Sequence, residues 1–400
     1  MDANTHLEID GSNYDARTTG PHTLQTNQPN GSNYNGRTSR YTLELDAGNY
    51  RKVTNLFRRK AYDVSVTSLK FTRRQFIRRG VAAAGIAVLA GTGYITYQSV
   101  RSKAYAPELC QISLHTGRVL DVAVAGPEDG TPLVFHHGAP GARMPFEPFI
   151  EATVTRGLRY VSYSRPGFGD STRQPGRTVA DCATDTASIL DLLGANRFYV
   201  TGWSAGGPHA LACAGLLPKR VISAATIAGA APYGKPDMAD WSACQDPETL
   251  EKMKDARAGR FDELRSLLER EEPIFANVTG SEIIAALGNL PEVDKAVLTS
   301  TVADFLAANM REAYRNGIWG MYDEDIALAR DWGFDVSQIN VPVAVWQGTK
   351  DEMVPFAHGQ WLANNVPHAQ AHFLPGLAHF SLVFDCFGNV LDNLIANGKL

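Results

Sequence analysis

Short apolar segments alternate with amphipathic stretches throughout the part of this 400-residue chain that follows Glu108. Each segment is rich in β-branched or aromatic side chains and ends near a turn residue, as buried strands do. The predicted strands are Leu109–Leu114, Val119–Val124, Leu133–His137, Arg159–Tyr163, Phe198–Trp203, Val221–Ala228, Val343–Gln347 and Ala371–Leu374. Strands that alternate with helices form βαβ units, so the sequence predicts an α/β fold with a doubly wound, mostly parallel sheet.

A nearly all-helical stretch interrupts this alternation between residues 231 and 330. It contains charged runs at helical spacing, such as Leu250–Leu268, and no strong strand signal. We therefore divide the folded part into an α/β core, residues 104–230 and 331–400, and an inserted helical cap, residues 231–330. Because the cap would lie over one edge of the sheet, we expect the ligand cleft where its ends meet the core.

Charge is distributed unevenly along the chain. Residues 1–103 contain 15 Lys and Arg against 7 Asp and Glu, and the whole chain has a net charge of −4, so residues 104–400 carry −12. Nucleic-acid binding requires clustered Lys and Arg on the fold itself, and an acidic fold repels anionic surfaces. The charge pattern therefore predicts no nucleic-acid partner.

Residues 1–70 are polar at first and then basic. Gly11–Thr18 recurs with small changes as Gly31–Thr38, but two copies of so polar a unit cannot bury a core. We predict that residues 1–70 form a disordered extension.

Residues 71–103 have the layout of an export signal. Arg73 and Arg74, followed by Gln-Phe-Ile, precede an apolar run within residues 80–98. The pair resembles the bacterial twin-arginine signal, which implies the twin-arginine export machinery as a partner and a protein placed outside the cytoplasm. Residues 80–98 would then be cleaved off or serve as a membrane anchor. The alternative is a chance arginine pair before a buried helix of a cytoplasmic protein.

The cysteines lack the paired spacing of a zinc site or a disulfide framework. We expect mostly buried free thiols, with one bridge of the Cys110–Cys244 type left open, and no metal or other cofactor. The five cysteines are Cys110, Cys182, Cys213, Cys244 and Cys386.

The strongest chemical signal is the G-x-S-x-G sequence Gly202–Gly206, which lies between a predicted strand and a predicted helix. Such a turn lifts the serine oxygen above the sheet edge, and its glycines avoid collisions with neighbouring backbone. The backbone amide of Ala205 would lie at the helix N-terminus, where negative charge is favoured. Ser204 is therefore the candidate nucleophile, and Ala205 is a candidate oxyanion-hole donor.

Three further motifs follow predicted strands. In His136–Gly141 a small residue comes after His-Gly, so the amide of Ala139 is the second candidate oxyanion-hole donor. A hydroxyl needs a base to become a nucleophile, and the base needs an acid to orient it. Asp351 and His379 each follow a strand and complete the order Ser…Asp…His. The other nearby histidines, His136, His137 and His209, are expected to orient loops or to pack.

This order of motifs resembles that of the α/β-hydrolases. Residues 108–400 look like a cap-bearing member, with Arg165–Ser171 similar to the family's R-P-G-x-G-x-S loop. Ser164 stands where Asp is usual, and Gly376–His379 departs from the family's G-x-G-H at Ala378. The resemblance implies a cofactor-free serine hydrolase acting on a small-molecule ester, amide or related acyl substrate.

Several alternatives stay open. The same scaffold supports carbon–carbon bond hydrolysis, proline-iminopeptidase-like cleavage and perhydrolysis, and a non-catalytic binding protein could retain the fold. Neither the substrate nor the oligomeric state follows from the sequence. The candidate pocket residues are Met144, Phe146, Trp203, Trp319 and Met321.

Overall fold

The computed structural model describes most of the chain after residue 104 and three short segments before it: residues 5–10, 40–45, 64–68, 105–143, 145–234 and 247–399. The predicted export signal at 71–103, including the apolar run at 80–98, lies outside the described residues, as do Met144 and Cys244. The expectations attached to them stay predictions. No helix in the described ranges is both long enough and apolar enough to cross a membrane.

The chain divides into two units, Met1–Ala104 and Tyr105–Leu400. In the first unit, the structure describes three strands: β1 (Thr5–Asp10), β2 (Arg40–Leu45) and β3 (Val64–Ser68). They form an antiparallel sheet with β1 between β2 and β3. These strands fall within the stretch predicted to be a disordered extension, and each carries the alternation of polar and apolar residues that favours strand pairing.

The second unit contains an eight-stranded sheet. Its strands are β4 (Glu108–Ser113), β5 (Val119–Ala125), β6 (Thr131–His136), β7 (Leu158–Tyr163), β8 (Phe198–Trp203), β9 (Val221–Ile227), β10 (Val343–Gly348) and β11 (Gln370–Leu374). They lie in the order β11-β10-β9-β8-β6-β7-β5-β4. Pairing is parallel from β11 through to β7 and antiparallel where β5 meets β7 and β4. The predicted α/β fold with a mostly parallel sheet is confirmed.

Helices connect the parallel strands and fill the long interval between β9 and β10. The core helices are α1 (Glu147–Val154), α2 (Asp181–Leu192), α3 (Gly206–Leu216), α10 (Phe356–Asn365) and α11 (His379–Asn397). The interval holds α4 (Pro247–Ala258), α5 (Phe261–Phe275), α6 (Gly280–Ala285), α7 (Glu292–Val297), α8 (Ser300–Ala313) and α9 (Trp319–Ala329). The exact division into core and cap stays a prediction.

Apolar residues on both faces of the sheet fix its position between two helix layers. Along β6, Val134 packs in one buried cluster with residues of α2, α3 and α10. Its neighbours Leu133 and Phe135 pack in the other cluster, with residues of α1 and α11. Successive side chains of a strand point to opposite faces, so this division places helices on both sides. The carboxyl ends of the parallel strands therefore remain as the edge at which loops can form a site.

A buried charged group lies inside the helices between β9 and β10. Asp325 on α9 is buried, and its electrostatic neighbours include Lys252 and Glu271, which pair with each other at 2.6 Å. Burial is the main reason that the pKa of Asp325 is raised to about 7. The positive charge of Lys252 lowers this pKa, and the negative charge of Glu271 raises it.

Because the pKa of this buried carboxyl is raised, we expect the protein to lose stability as pH rises. The folded state binds the Asp325 proton more tightly than the unfolded state, so the stabilisation present at low pH disappears as pH climbs toward 7. We expect Asp325→Asn to reduce the difference in unfolding free energy between pH 5 and pH 8 by about 2–3 kcal/mol. Urea denaturation at the two pH values measures this difference. The exposed Asp262→Asn serves as the control, and an unchanged difference in the Asp325 variant would contradict the prediction.

Candidate active site

Ser204 occupies the sharp turn between β8 and α3, where its φ is +56°. A non-glycine residue in this left-handed region is strained by about 1–2 kcal/mol, so the surrounding bonds must hold it there. Its amide donates to the carbonyl of Ile227 at 2.9 Å, and its carbonyl accepts from the amide of Gly207 at 2.9 Å. Ser204 is half-buried, whereas Trp203 and Ala205 on either side are buried. The turn therefore directs one polar residue out of an apolar strand–helix junction.

The two glycines of the G-x-S-x-G sequence are required by close backbone contacts. A Cβ on Gly202 would collide with the carbonyl oxygen of Gly206. A Cβ on Gly206 would collide with the carbonyl oxygen of His136 at the end of β6. Any side chain at either position would push the turn away from the strands that support it.

Asp351 and His379 meet beyond the ends of β10 and β11. Asp351 Oδ1 accepts hydrogen bonds from the amides of Met353 and Val354, at 3.0 and 2.8 Å. Its Oδ2 accepts from Gln347 Nε2 at 3.1 Å and lies 2.9 Å from His379 Nδ1. A carboxylate only accepts hydrogen bonds, so Nδ1 of His379 carries the proton and Nε2 is left for other chemistry.

His379 is buried against the residue that precedes Ser204. The ring centroids of His379 and Trp203 are 5.3 Å apart, and only 2% of His379 is exposed. Its partner Asp351 is 3% exposed, so little water competes for the bond between them. The structure thus brings the predicted acid and base together next to the β8 turn.

The loop after β6 runs directly beside Ser204. A Cβ added to Gly138 would lie 3.4 Å from the Cβ of Ser204. The next residue is Ala139, and Ala205 is the N-cap of α3. Among the described residues, neither the Ala139 nor the Ala205 amide donates a hydrogen bond to another protein group. Both amides are therefore available to a ligand atom near Ser204.

A buried ionic network is hydrogen-bonded to this loop. Arg165 forms a two-pronged ion pair with Glu324, at 2.8 and 3.2 Å, and Arg177 contacts the same carboxylate at 2.7 Å. Arg165 Nη1 also donates to the carbonyl oxygen of His137 at 2.7 Å. Burial opposes the charge on Glu324, but the two guanidinium groups hold its pKa well below the usual range. Helix α9, which carries Glu324, is thereby tied to the loop that contains Ala139.

The sequence profile described as the alpha/beta hydrolase fold matches residues 131–385, which is more than half of the chain. This chain belongs to the α/β-hydrolase family. The matched range includes β6, the Ser204 turn and the meeting point of Asp351 and His379.

Curated relatives of this α/β-hydrolase include hydrolytic and oxidative enzymes. It is 24% identical over 258 residues to a bifunctional esterase/perhydrolase from Acinetobacter calcoaceticus, covering 64% of this chain and 87% of that protein. It is 29% identical over 238 residues to a non-heme chloroperoxidase from Streptomyces lividans, covering 58% and 78% of the two chains. A hydrolase structure from Pseudomonas aeruginosa superposes with a TM-score of 0.54 at 23% identity, covering 72% and 99%. The relatives support hydrolase chemistry, and the structural likeness shows the fold.

The nearby histidines His136, His137 and His209 are buried. Burial lowers the pKa of His209 to about 3, and its Nδ1 lies 2.9 Å from the carbonyl oxygen of Ala205. His137 Nδ1 lies 2.6 Å from the carbonyl oxygen of Gly138, which orients the loop. Glu324, described above, and Asp294, whose contacts are described below, carry no motif of their own, so the sequence pattern does not reveal them.

The candidate pocket residues separate into two groups. Phe146 and Trp203 belong to the cluster beside His379, where Phe146 packs against Phe305 at 4.6 Å and Phe384 at 5.4 Å between ring centroids. Trp319 instead stacks on the guanidinium of Arg173, with 3.9 Å to the ring centroid. Met321 is buried in a cluster formed mostly by the helices between β9 and β10. Of the described candidates, Trp203 packs against His379, and Phe146 belongs to the same buried cluster.

One group of described side chains has the composition and spacing to hold a metal ion. The ligand atoms of His136, Cys182 and Cys213 all lie within 4.8 Å of one another, and Cys213 Sγ is 3.6 Å from His136 Nε2. Burial opposes ionisation of Cys213, but its contacts with Cys182, His136 and Thr186 lower its pKa to about 5. Four cysteines are free thiols: Cys110, Cys182, Cys213 and Cys386.

Proposed function

We propose that this protein is a serine hydrolase that cleaves ester, amide or related acyl bonds. Ser204 is the nucleophile, His379 is the general base, and Asp351 orients His379. The observation that carries the proposal is the 2.9 Å contact between His379 Nδ1 and Asp351 Oδ2, packed against Trp203 beside the strained Ser204 turn. Membership of the α/β-hydrolase family and relatives named as esterases support it.

The first half of the reaction forms an acyl-enzyme. His379 Nε2 accepts the hydroxyl proton of Ser204 while the serine oxygen bonds to the substrate carbonyl carbon. The carbonyl oxygen becomes an anion, which the free amides of Ala139 and Ala205 stabilise by about 3 kcal/mol per donor. The imidazolium of His379 then gives its proton to the leaving group as the bond between the carbonyl carbon and the leaving atom breaks.

The second half releases the acid and restores the serine. A water molecule attacks the acyl carbon, and His379 Nε2 takes one of its protons. The same two amides stabilise the second anion. The bond to Ser204 breaks, and the serine oxygen recovers the proton from His379. Asp351 holds the imidazole in one orientation through both halves.

Perhydrolysis is a second candidate activity, favoured by the likeness to the esterase/perhydrolase and to the chloroperoxidase. In this reaction hydrogen peroxide replaces water as the attacker of the acyl-enzyme, and the product is a peracid. The chain's own groups do the same work in both reactions. The ratio of acid to peracid formed from one ester in the presence of peroxide distinguishes them.

A fluorophosphonate probe tests the proposed nucleophile. Such probes react with a serine activated by a neighbouring base, so we expect one label per chain, and peptide mass spectrometry should locate it at Ser204. Ser204→Ala should abolish labelling, whereas Ser266→Ala, at an exposed serine, should label fully. Heat-denatured protein should not label.

The same experiment separates an enzyme from a binding protein that keeps the fold. A folded chain that does not label, or one that labels equally in the Ser204→Ala variant, would contradict the proposal. Turnover of an ester series graded by acyl length then identifies the substrate class of a protein that labels as expected.

A further inference from the structure

Helix α11 begins at His379, so its first backbone amides belong to the helix turn that carries the proposed base. The first amides of any helix lack acceptors within the helix, and a side chain usually supplies one from the N-cap position. Here the N-cap residue is Ala378, whose methyl group cannot accept a hydrogen bond. Position 378 therefore leaves the amides of the first turn to be satisfied from elsewhere in the chain.

Asp294 on α7 supplies the missing acceptors. Its Oδ2 accepts from the amide of His379 at 3.1 Å. Its Oδ1 accepts from the amides of Phe380 and Ser381, at 3.1 and 2.7 Å. Asp294 is 1% exposed, and a carboxylate at a helix N-terminus is also favoured by the helix dipole. One buried side chain thus satisfies the first three amides of α11.

The position of this carboxylate is set by the segment between β9 and β10. The amide of Asp294 donates to the carbonyl of Pro291 at 2.9 Å, and its carbonyl accepts from the amide of Leu298 at 3.2 Å. Asp294 therefore moves with α7, while the amides that it binds belong to the helix of the proposed base. A displacement of α7 would withdraw both carboxylate oxygens, and with them the acceptors of all three amides, from the His379 turn at once.

We propose that Asp294 is a positioning residue, which holds the backbone of His379 so that its imidazole meets both Asp351 and the Ser204 hydroxyl. This inference rests on the proposed function of His379 as the base. Asp351 fixes the ring through Nδ1, and Asp294 fixes the main chain through the amide of the same residue. Both constraints are needed, because one hydrogen bond to a ring does not prevent the helix turn from shifting beneath it.

The test is Asp294→Asn, which alters one contact in particular. The side-chain oxygen of the new asparagine can replace Oδ1 and keep the hydrogen bonds to the amides of Phe380 and Ser381. The NH₂ group of the asparagine then faces the backbone amide of His379, and two hydrogen-bond donors repel each other. The matched control is Thr279→Ala, which removes the N-cap of α6 in the same interval without touching α11.

We expect Asp294→Asn to lower kcat for an ester by about 10- to 100-fold, with a change in KM of less than about threefold. Circular dichroism should show a folded protein for both variants, and Thr279→Ala should keep the wild-type kcat. NMR detection of the proton between His379 and Asp351 provides a readout that loss of stability alone does not shift.

A folded Asp294→Asn variant with wild-type kcat and an unchanged signal for the proton between His379 and Asp351 would overturn the inference. If Asp294→Asn does not fold, Asp294→Glu, which keeps a carboxylate on a longer side chain, takes its place. A lowered kcat with a nearly unchanged KM in that variant supports the inference, and a wild-type kcat with an unchanged proton signal overturns it. The proposed function is judged separately by fluorophosphonate labelling of the wild-type chain, so it can stand when the inference about Asp294 fails.

Discussion

Replacing Ser204 with alanine is expected to lower kcat/KM for ester hydrolysis by about 10,000-fold or more. The hydroxyl forms the covalent bond in the proposed mechanism, and the free amides of Ala139 and Ala205 can still stabilise an anion but have no attacking group to assist. A small residual rate above that of water is therefore expected. Steady-state kinetics with a chromogenic ester measures the loss.

The size of the loss should be the same for Ser204→Ala, His379→Ala and the double variant. The two groups act as one unit, because the base has nothing to deprotonate without the hydroxyl, and the hydroxyl is a weak nucleophile without the base. If the two losses multiplied in the double variant, independent roles would be indicated and the proposed mechanism would be wrong.

Folding should not explain this result. Alanine at position 204 retains a side chain in the left-handed turn, so the strain at φ +56° remains and the surrounding backbone bonds are unchanged. We expect the unfolding free energy of Ser204→Ala to lie within about 1 kcal/mol of the wild type. A large drop in stability would identify a structural role for the hydroxyl instead.

The sequence predicted the strands and the Ser204 turn because the signals for them are local. A buried parallel strand has an apolar run that can be read from neighbouring residues, and the glycines at 202 and 206 mark a turn whose contacts leave no room for a side chain. The family pattern also supplied Asp351 and His379 by their places after strands. The structure then placed their side chains 2.9 Å apart.

The supporting contacts could not be predicted, because they join residues far apart in the chain. Asp294 reaches amides 85 to 87 positions away, and Glu324 reaches Arg165 across 159 positions. Nothing in the sequence around either acid distinguishes it from the many solvated acids of the helical segment. The three strands before residue 69 carry a local alternation of polar and apolar residues, but the pairing between them joins residues that are distant in sequence.

Ser164, where the family usually has Asp, has a structural explanation in its contacts. Its Oγ accepts a hydrogen bond from the amide of Arg143 at 3.0 Å, and its carbonyl accepts from the hydroxyl of Ser171 at 2.7 Å. A hydroxyl thus provides the acceptor that this buried position requires, without adding a charge. The following residue, Arg165, pairs with Glu324.

The buried pair between Arg165 and Glu324 leads to the largest stability effect that we expect. Glu324→Gln keeps the size of the side chain but leaves Arg165 and Arg177, which are 0% and 4% exposed, without a counter-charge. Breaking a buried ion pair from one side destabilises a protein by about 3–5 kcal/mol. Chemical denaturation at neutral pH measures this loss.

The neighbouring residue on α9 provides a matched control. Asp323 pairs with Arg173, whose side chain is 30% exposed, so water can replace the lost partner in Asp323→Asn. We expect that variant to lose about 1 kcal/mol or less. Equal losses in the two variants would contradict the assignment of Glu324 as the centre of a buried network.

Acid provides an independent check on the same network. The pKa of Glu324 is held well below its usual value in the folded state. The contribution of Glu324 to stability is therefore fully present above the pKa that this residue has in the unfolded chain, and it is lost as pH falls toward the lower pKa of the folded state. The wild type should therefore lose stability steeply below about pH 4.5, and Glu324→Gln should lose less over the same range.

Because Arg165 also holds the carbonyl of His137, folded Glu324→Gln should have a lower kcat as well. A stable, fully active Gln variant would separate this network from the oxyanion-hole loop.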